Sequence, residues 1–414
     1  KNDPERLMWA RETNQVYREL AESKWRSHNV EEALEIWELY RGAAIRSAHE
    51  PQISRSGRGQ VRPLLQVDKL LYDFSALARQ TVISYLQVSD GLIVWVVDDR
   101  GIATQWIGIS QQDMNRLATS FRDECADRNS NFASLRQHAR ALYDLLIAPI
   151  ADHLSANRTL VIEPDDSAVE VPMAALIDSA GHYLGESYTI VLSPGLLYQR
   201  HLRDSKNLSV RERALVIGSP AQDRRMEVLE PLDSAVEEAR YVADKFRAST
   251  LLIGTQATLD RVQRELAYAT IFHFAGHGLA VHDKNGLLLA PSRDSELTGS
   301  LLPLLDASTL LSVKLDSLQL AVFSGCSTAG EGQNNLGDAG NLARLLLRSG
   351  VPHIVASQWN VDSVTTIDFM RAFYDQILTG SSVPDSLRTA ASELRRWPST
   401  SHPYYWAAFT TFGS

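Results

Sequence analysis

Cysteine is nearly missing from this chain: of 414 residues only Cys125 and Cys326 carry a thiol. Two cysteines cannot build the disulfide framework that staples small secreted domains, and a reducing compartment is the simpler setting. Long apolar runs are lacking as well. None approaches the roughly 18 residues that cross a bilayer, and the opening KNDPERLMWARE is too polar for a signal peptide. A cytoplasmic location is therefore the default expectation. There is no basic excess either: 41 Lys and Arg stand against 50 Asp and Glu, a net charge of −9. That balance speaks against a general nucleic-acid-binding surface, which takes a basic patch. The sequence begins at Lys1 without a methionine, as a trimmed piece of a longer protein would, with domains upstream.

Two further absences concern cofactors. The polar, Gly-rich stretch EGQNNLGDAGN at 331–341 has no Gly-Lys-Ser/Thr behind it, so it is not a phosphate-cradling P-loop, and a mobile substrate-binding loop is the better reading. His273 and His277 stand four residues apart, but that spacing converges on a metal only in a helix, and Gly276 and Gly278 oppose one. No metal and no cofactor is expected.

What is present is an ordinary globular composition, 44% hydrophobic and 22% charged, in a chain long enough for a large domain and a smaller one. Residues 1–49 read as helical, with Ala33, Leu34, Trp37, Leu39 and Tyr40 at helical intervals. Residues 50–63, including EPQISRSGRGQVR, have the composition of an exposed linker. TVISYLQVSDGLIVWVVDDRGIATQWIGI places two turn signals between alternating segments and predicts an antiparallel meander. A long helical stretch over 110–155 follows, with Cys125 in the polar SFRDECADRN on its surface, and VEVPMAALID reads as a strand leading into a short helix. From about 211 onward, apolar strands alternate with amphipathic helices. Right-handed crossovers then predict an α/β fold with a mostly parallel sheet flanked by helices on both faces.

Two of these strands end in a reactive side chain set among small residues: IFHFAGHGLA with His277, and LQLAVFSGCSTAG with Cys326. In open α/β sheets the carboxyl edge is where ligands bind. A thiolate nucleophile needs a base, and adjacent strands bring together residues far apart in sequence. Gly276, Gly278 and Gly325 leave the backbone free to approach a substrate and offer N–H groups to an oxyanion.

FHFAGHG, VFSGCSTAG, GNLARLLLRSGVPHIVASQWNVDS and HPYYWAAFTTFG, in that order, resemble successive motifs of the CHAT family, caspase-like cysteine peptidase domains associated with tetratricopeptide repeats. The likeness covers roughly residues 80–414. It implies a caspase-like fold in two halves, pseudo-protease-like over 64–210 and catalytic over 211–414, behind a helical segment at 1–49 that resembles a terminal tetratricopeptide unit. It also implies a cysteine endopeptidase, regulated in signalling or defence, in which His277 is the base and Cys326 the nucleophile. Backbone N–H groups of Gly278 and Gly325 would hold the oxyanion. The expected partners are a protein substrate and a regulatory protein met through the N-terminal helices, with no membrane and no direct nucleic-acid contact. The segment QWNVDS resembles the part that lines the substrate pocket in separase-like relatives, where a carboxylate meets a substrate Arg or Lys. Trp359, Asp362 and, from the polar loop, Asp338 are the pocket candidates. Where the family often has a second acid this chain has Ser363, and Asp362 is equally placed to cap the following helix. The alternative is a catalytically silent caspase-like scaffold for protein–protein interaction.

Overall fold

Most strands of this chain are apolar on both faces, and such strands are stable only in the middle of a sheet covered from both sides. In the computed structural model, which describes residues 3–42, 77–202, 207–220, 232–281, 284–292, 303–324, 335–360 and 363–413, that sheet has eleven strands. The proposed linker at 50–63 lies outside the described residues.

The sheet begins with the expected meander: β1 (Gln80–Gln87), β2 (Leu92–Asp98) and β3 (Gly101–Ile107) pair antiparallel. The second turn closes on Gly101 at φ +125°, a conformation that side-chain-bearing residues rarely adopt. β4 (Thr159–Glu163) and β5 (Ile190–Leu192) continue parallel to β1. The second half supplies β6 (Arg213–Pro220), β7 (Ala248–Gly254) and β8 (Ile271–Ala275), followed by β9 (Gly278–Val281), β10 (Lys284–Leu288) and β11 (Leu304–Asp306), which form a small antiparallel sheet of their own. β12 (Leu320–Ser324), β13 (His353–Ser357) and β14 (Phe409–Gly413) return to the main sheet, whose order is β3-β2-β1-β4-β5-β14-β13-β12-β8-β6-β7.

β13 and β14 are antiparallel, while β14 is parallel to β5. The two halves of the sheet therefore run in opposite directions. The carboxyl ends of β6, β8, β12 and β13 share one edge with the amino ends of β14, β5, β4 and β1.

Helices cover both faces. On one lie α3 (Gln111–Ala126), α4 (Phe132–Leu146), α5 (Asp233–Asp244), α8 (Ser363–Leu378) and α9 (Val383–Arg395); α6 (Leu259–Leu266) connects β7 to β8, and α7 (Asn335–Arg348) packs on β13 from the other side. On that other side, under β1, β2 and β4, sits the N-terminal hairpin of α1 (Asp3–Arg26) and α2 (Val30–Arg41). Leu34, Ile36 and Trp37 of α2 are buried with Val82, Leu86, Trp95 and Val161 in a second apolar core. Each large side chain buried there contributes about 1.5–3 kcal/mol. The seam is also hydrogen-bonded. Arg18 donates to Asp165 (2.8 Å) and to the Gln87 carbonyl (2.8 Å), and Trp25 Nε1 to Thr104 Oγ1 (2.8 Å). Trp37 lies between the Arg18 and Arg41 guanidinium groups, each 5.0 Å from its ring centre.

Three expectations need correction. The helical stretch at 110–155 is two helices and a 3-10 turn, broken because Asn131 starts a new helix by accepting from the Ala133 and Ser134 N–H groups. The strand read at VEVPMAALID is a pair of 3-10 turns around Pro172, which has no N–H to give a ladder. Cys125 is fully buried rather than on the surface. Its polar neighbours point outward, while Met114, Ala118, Phe121 and Cys125 recur every three or four residues along the buried stripe of α3. Burial pushes the Cys125 thiol well above its ordinary range.

Candidate active site

β8 reads IFHFA and every residue of it is buried. The chain leaves the sheet at Gly276, where a Cβ would lie 3.0 Å from Pro220 and 2.8 Å from the Phe274 ring, so a larger residue would force the turn outward. The Gly276 N–H donates to the carbonyl of Ser324 (3.3 Å), the last residue of β12. β8 and β12 are direct neighbours and parallel, with Ala275 opposite Ser324. His277, half-buried, follows this junction, and its own carbonyl accepts from the Leu288 N–H (2.9 Å). The histidine is thus held from both sides, by the end of β12 and by the β9–β10 hairpin.

Gly278 opens β9 opposite Leu287. Hydrogen-bonded and non-hydrogen-bonded pairs alternate in an antiparallel ladder. Since His277 and Leu288 form a bonded pair, Gly278 falls on a non-bonded one, and its N–H is turned away from β10. Gly325, Cys326 and Asp362 lie outside the described residues; in sequence, Cys326 follows the end of β12 by two positions.

Asp338 falls near the start of α7, which begins at Asn335, so the described part of the presumed mobile loop at 331–341 is helical. Trp359 is buried, 3% exposed, with its Nε1 donating to the Tyr404 carbonyl (3.0 Å). So buried, it offers little surface to a substrate. α8 begins at Ser363, the residue after Asp362.

His273 belongs to a different network. It is fully buried on the face covered by α5 and α8, with Nε2 3.0 Å from the Glu238 carboxylate and Nδ1 3.0 Å from the Tyr374 hydroxyl. Burial, and then the Glu238 charge, push the Tyr374 phenol well above its ordinary range, so it stays a hydroxyl, hydrogen-bonded to Nδ1. This network ties β8, which carries the histidine turn, to two helices. Sequence reasoning missed it because Glu238, His273 and Tyr374 meet only through tertiary packing, and the one available signal was the placement of Glu238 and Tyr374 on the inner stripes of their helices.

A sheet of this order, with strand ends converging on His277 and helices on both faces, defines a caspase-like α/β fold. The yeast Saccharomyces cerevisiae separase–securin complex has a chain that superposes at a TM-score of 0.58 with 9% identity, over 92% of this chain and 34% of that one. The CHAT domain matches residues 136–414, and the chain belongs to the CHAT family. Tetratricopeptide repeat protein 28 of Mus musculus is 30% identical over 327 residues, 66% of this chain, and its Homo sapiens counterpart 28% over 337 residues, 69% of this chain. This chain spans only 13% of the length of either relative.

Proposed function

We propose that the protein is a cysteine endopeptidase with His277 as base and Cys326 as nucleophile. The observation that supports this most is the Gly276–Ser324 backbone bond, which sets the turn carrying His277 against the strand end that leads to Cys326. In the reaction His277 takes the thiol proton and the sulfur attacks the carbonyl carbon of the scissile peptide. The developing oxyanion is met by backbone N–H groups of Gly278 and Gly325. Collapse breaks the C–N bond as the imidazolium returns its proton to the leaving amine. Water, deprotonated by the same imidazole, then attacks the thioester and releases the new carboxylate and the thiol.

The substrate is a polypeptide. A basic residue before the cleaved bond fits a carboxylate at Asp362, and an unchanged cleavage profile in Asp362→Asn would remove that assignment. Domain limits at 63 and 210, a cytoplasmic setting, a regulatory protein partner at the N-terminal helices, and a role in signalling or defence belong to the same proposal. Among the described residues no helix is long and apolar enough to cross a membrane.

The test is alkylation near neutral pH. A dyad makes Cys326 react at least tenfold faster than in His277→Ala, whereas equal slow labelling in both proteins assigns the domain to a silent scaffold.

A further inference from the structure

A cleft opens where β5 and β14 meet α9, and concave sites with a mainly apolar lining and a few polar groups are where ligands bind. Its walls are apolar and include Met173, Ile190, Leu387, Ala391, Trp406 and Phe409. Polar side chains interrupt them, among them Gln358, Thr411, Arg388 and Arg395, the last paired with Glu186 (2.7 Å). Gln358, 3% exposed, and Thr411, 0% exposed, both line the cleft, and neither the Gln358 Oε1 nor the Thr411 Oγ1 meets a hydrogen-bond partner among the described residues. A buried polar atom left unpaired costs stability unless a ligand supplies its partner. On the wall, Arg388 is exposed, donates to Thr189 Oγ1 (3.3 Å) and makes no ion pair among the described residues.

The position of the cleft is as informative as its chemistry. Gln358 directly follows β13, and the amino ends of β14 and β5 lie at the sheet edge that holds the carboxyl ends of β8 and β12. Along that edge the order is His277, the end of β12, the end of β13, then the cleft. From β12 to β14 is two strand spacings, about 10 Å, and an extended chain advances about 3.3 Å per residue. A peptide held at the end of β12 therefore reaches the cleft with its third or fourth residue.

Resting on the peptidase reading, we propose that this cleft is a second recognition site for the substrate polypeptide. It accepts a large apolar side chain three or four residues from the cleaved bond, gives that segment's backbone N–H the Gln358 and Thr411 oxygens to donate to, and pairs an adjacent Asp or Glu with Arg388.

The test uses one displayed peptide library in two arms, with the full chain throughout. In the binding arm the library is selected on the Cys326→Ala protein, alone and combined with Arg388→Glu or Ala391→Trp. The expected result is enrichment of a large apolar residue beside an acidic one. Arg388→Glu should exchange the acidic preference for a basic one, and Ala391→Trp should weaken selected peptides at least tenfold by filling the cleft. In the cleavage arm the protein with Cys326 intact should show the same preference three or four residues from the bond, while peptides too short to reach the cleft are cleaved equally by all cleft variants. Should Ala391→Trp fail to fold, the surface variant Arg388→Glu carries the test. Selection that ignores both cleft variants, or no enrichment at all, overturns the proposal. Enrichment without any cleavage leaves the cleft as a peptide-binding site and removes the peptidase reading instead.

Discussion

Gly276 and Ser324 are joined by a backbone hydrogen bond of 3.3 Å between two parallel strands, one carrying His277 just beyond its end and the other leading to Cys326. Because Gly276 sits within 3.0 Å of Pro220 and the Phe274 ring once a Cβ is built on it, Gly276→Ala is expected to displace this turn. The expected cost is about 1–3 kcal/mol of stability, together with a loss of peptide hydrolysis of at least tenfold. A thermal melt and an activity assay on the same sample check this. Full activity in a destabilised variant would contradict the view that the turn positions the histidine.

The His273 network is expected to bear on stability and not on chemistry. Tyr374→Phe keeps the packing and removes one buried hydrogen bond, for about 1 kcal/mol. His273→Ala leaves Glu238 buried without its partner and should cost about 3 kcal/mol or more. Urea denaturation measures both. Activity per folded molecule should stay within twofold of the parent, and a selective loss of activity at unchanged stability would bring His273 into the mechanism.

Glu38 of α2 and Glu163 at the end of β4 are both buried beside Arg41, whose Nη1 lies 3.6 Å from the Glu163 carboxylate. Burial raises the Glu38 carboxyl, with Arg41 opposing; burial and then the Glu38 charge raise Glu163 well above its ordinary 4.5, with Arg41 again opposing. A carboxyl raised in the folded state holds its proton more tightly there than in the unfolded chain. Its contribution is complete below the unfolded value and is lost as pH rises through the folded one. Stability should therefore decline with pH above about 4.5 through this pair. Glu163→Gln, which keeps the neutral form at every pH, should flatten that decline and raise stability at neutral pH. Urea midpoints from pH 4 to 8 with the same slope in both proteins would contradict it.

Much of this was legible from residue patterns. IFHFA, LAVFS and HIVAS read as interior strands because each places apolar residues on both faces, and the glycines around His277 marked where the first of them ends. Other features depend on distant pairings that no local pattern records. β14, the last strand in the chain, inserts between the two halves and reverses the sheet direction. Glu38 meets Glu163, and Gln358 and Thr411 meet at a cleft, only after folding. Cys125 was misjudged for a local reason: charged neighbours hid a residue that helical spacing puts on the inner face.

The buried Cys125 makes the thiol chemistry easy to assign. With its thiol pushed up by burial in the core of α3, it should resist alkylation until the protein unfolds. Mass mapping after brief iodoacetamide treatment at pH 7 should find label on Cys326 alone, and early label on Cys125 would contradict the packing of α3.

The most direct measurement of the central claim is to incubate the protein with a whole proteome and sequence the new amino termini, comparing the parent with Cys326→Ala and His277→Ala. The endopeptidase account predicts a defined set of new termini made by the parent and absent from both variants, each variant remaining folded. Termini that persist within a few-fold in either variant, or a parent that makes none, would contradict it.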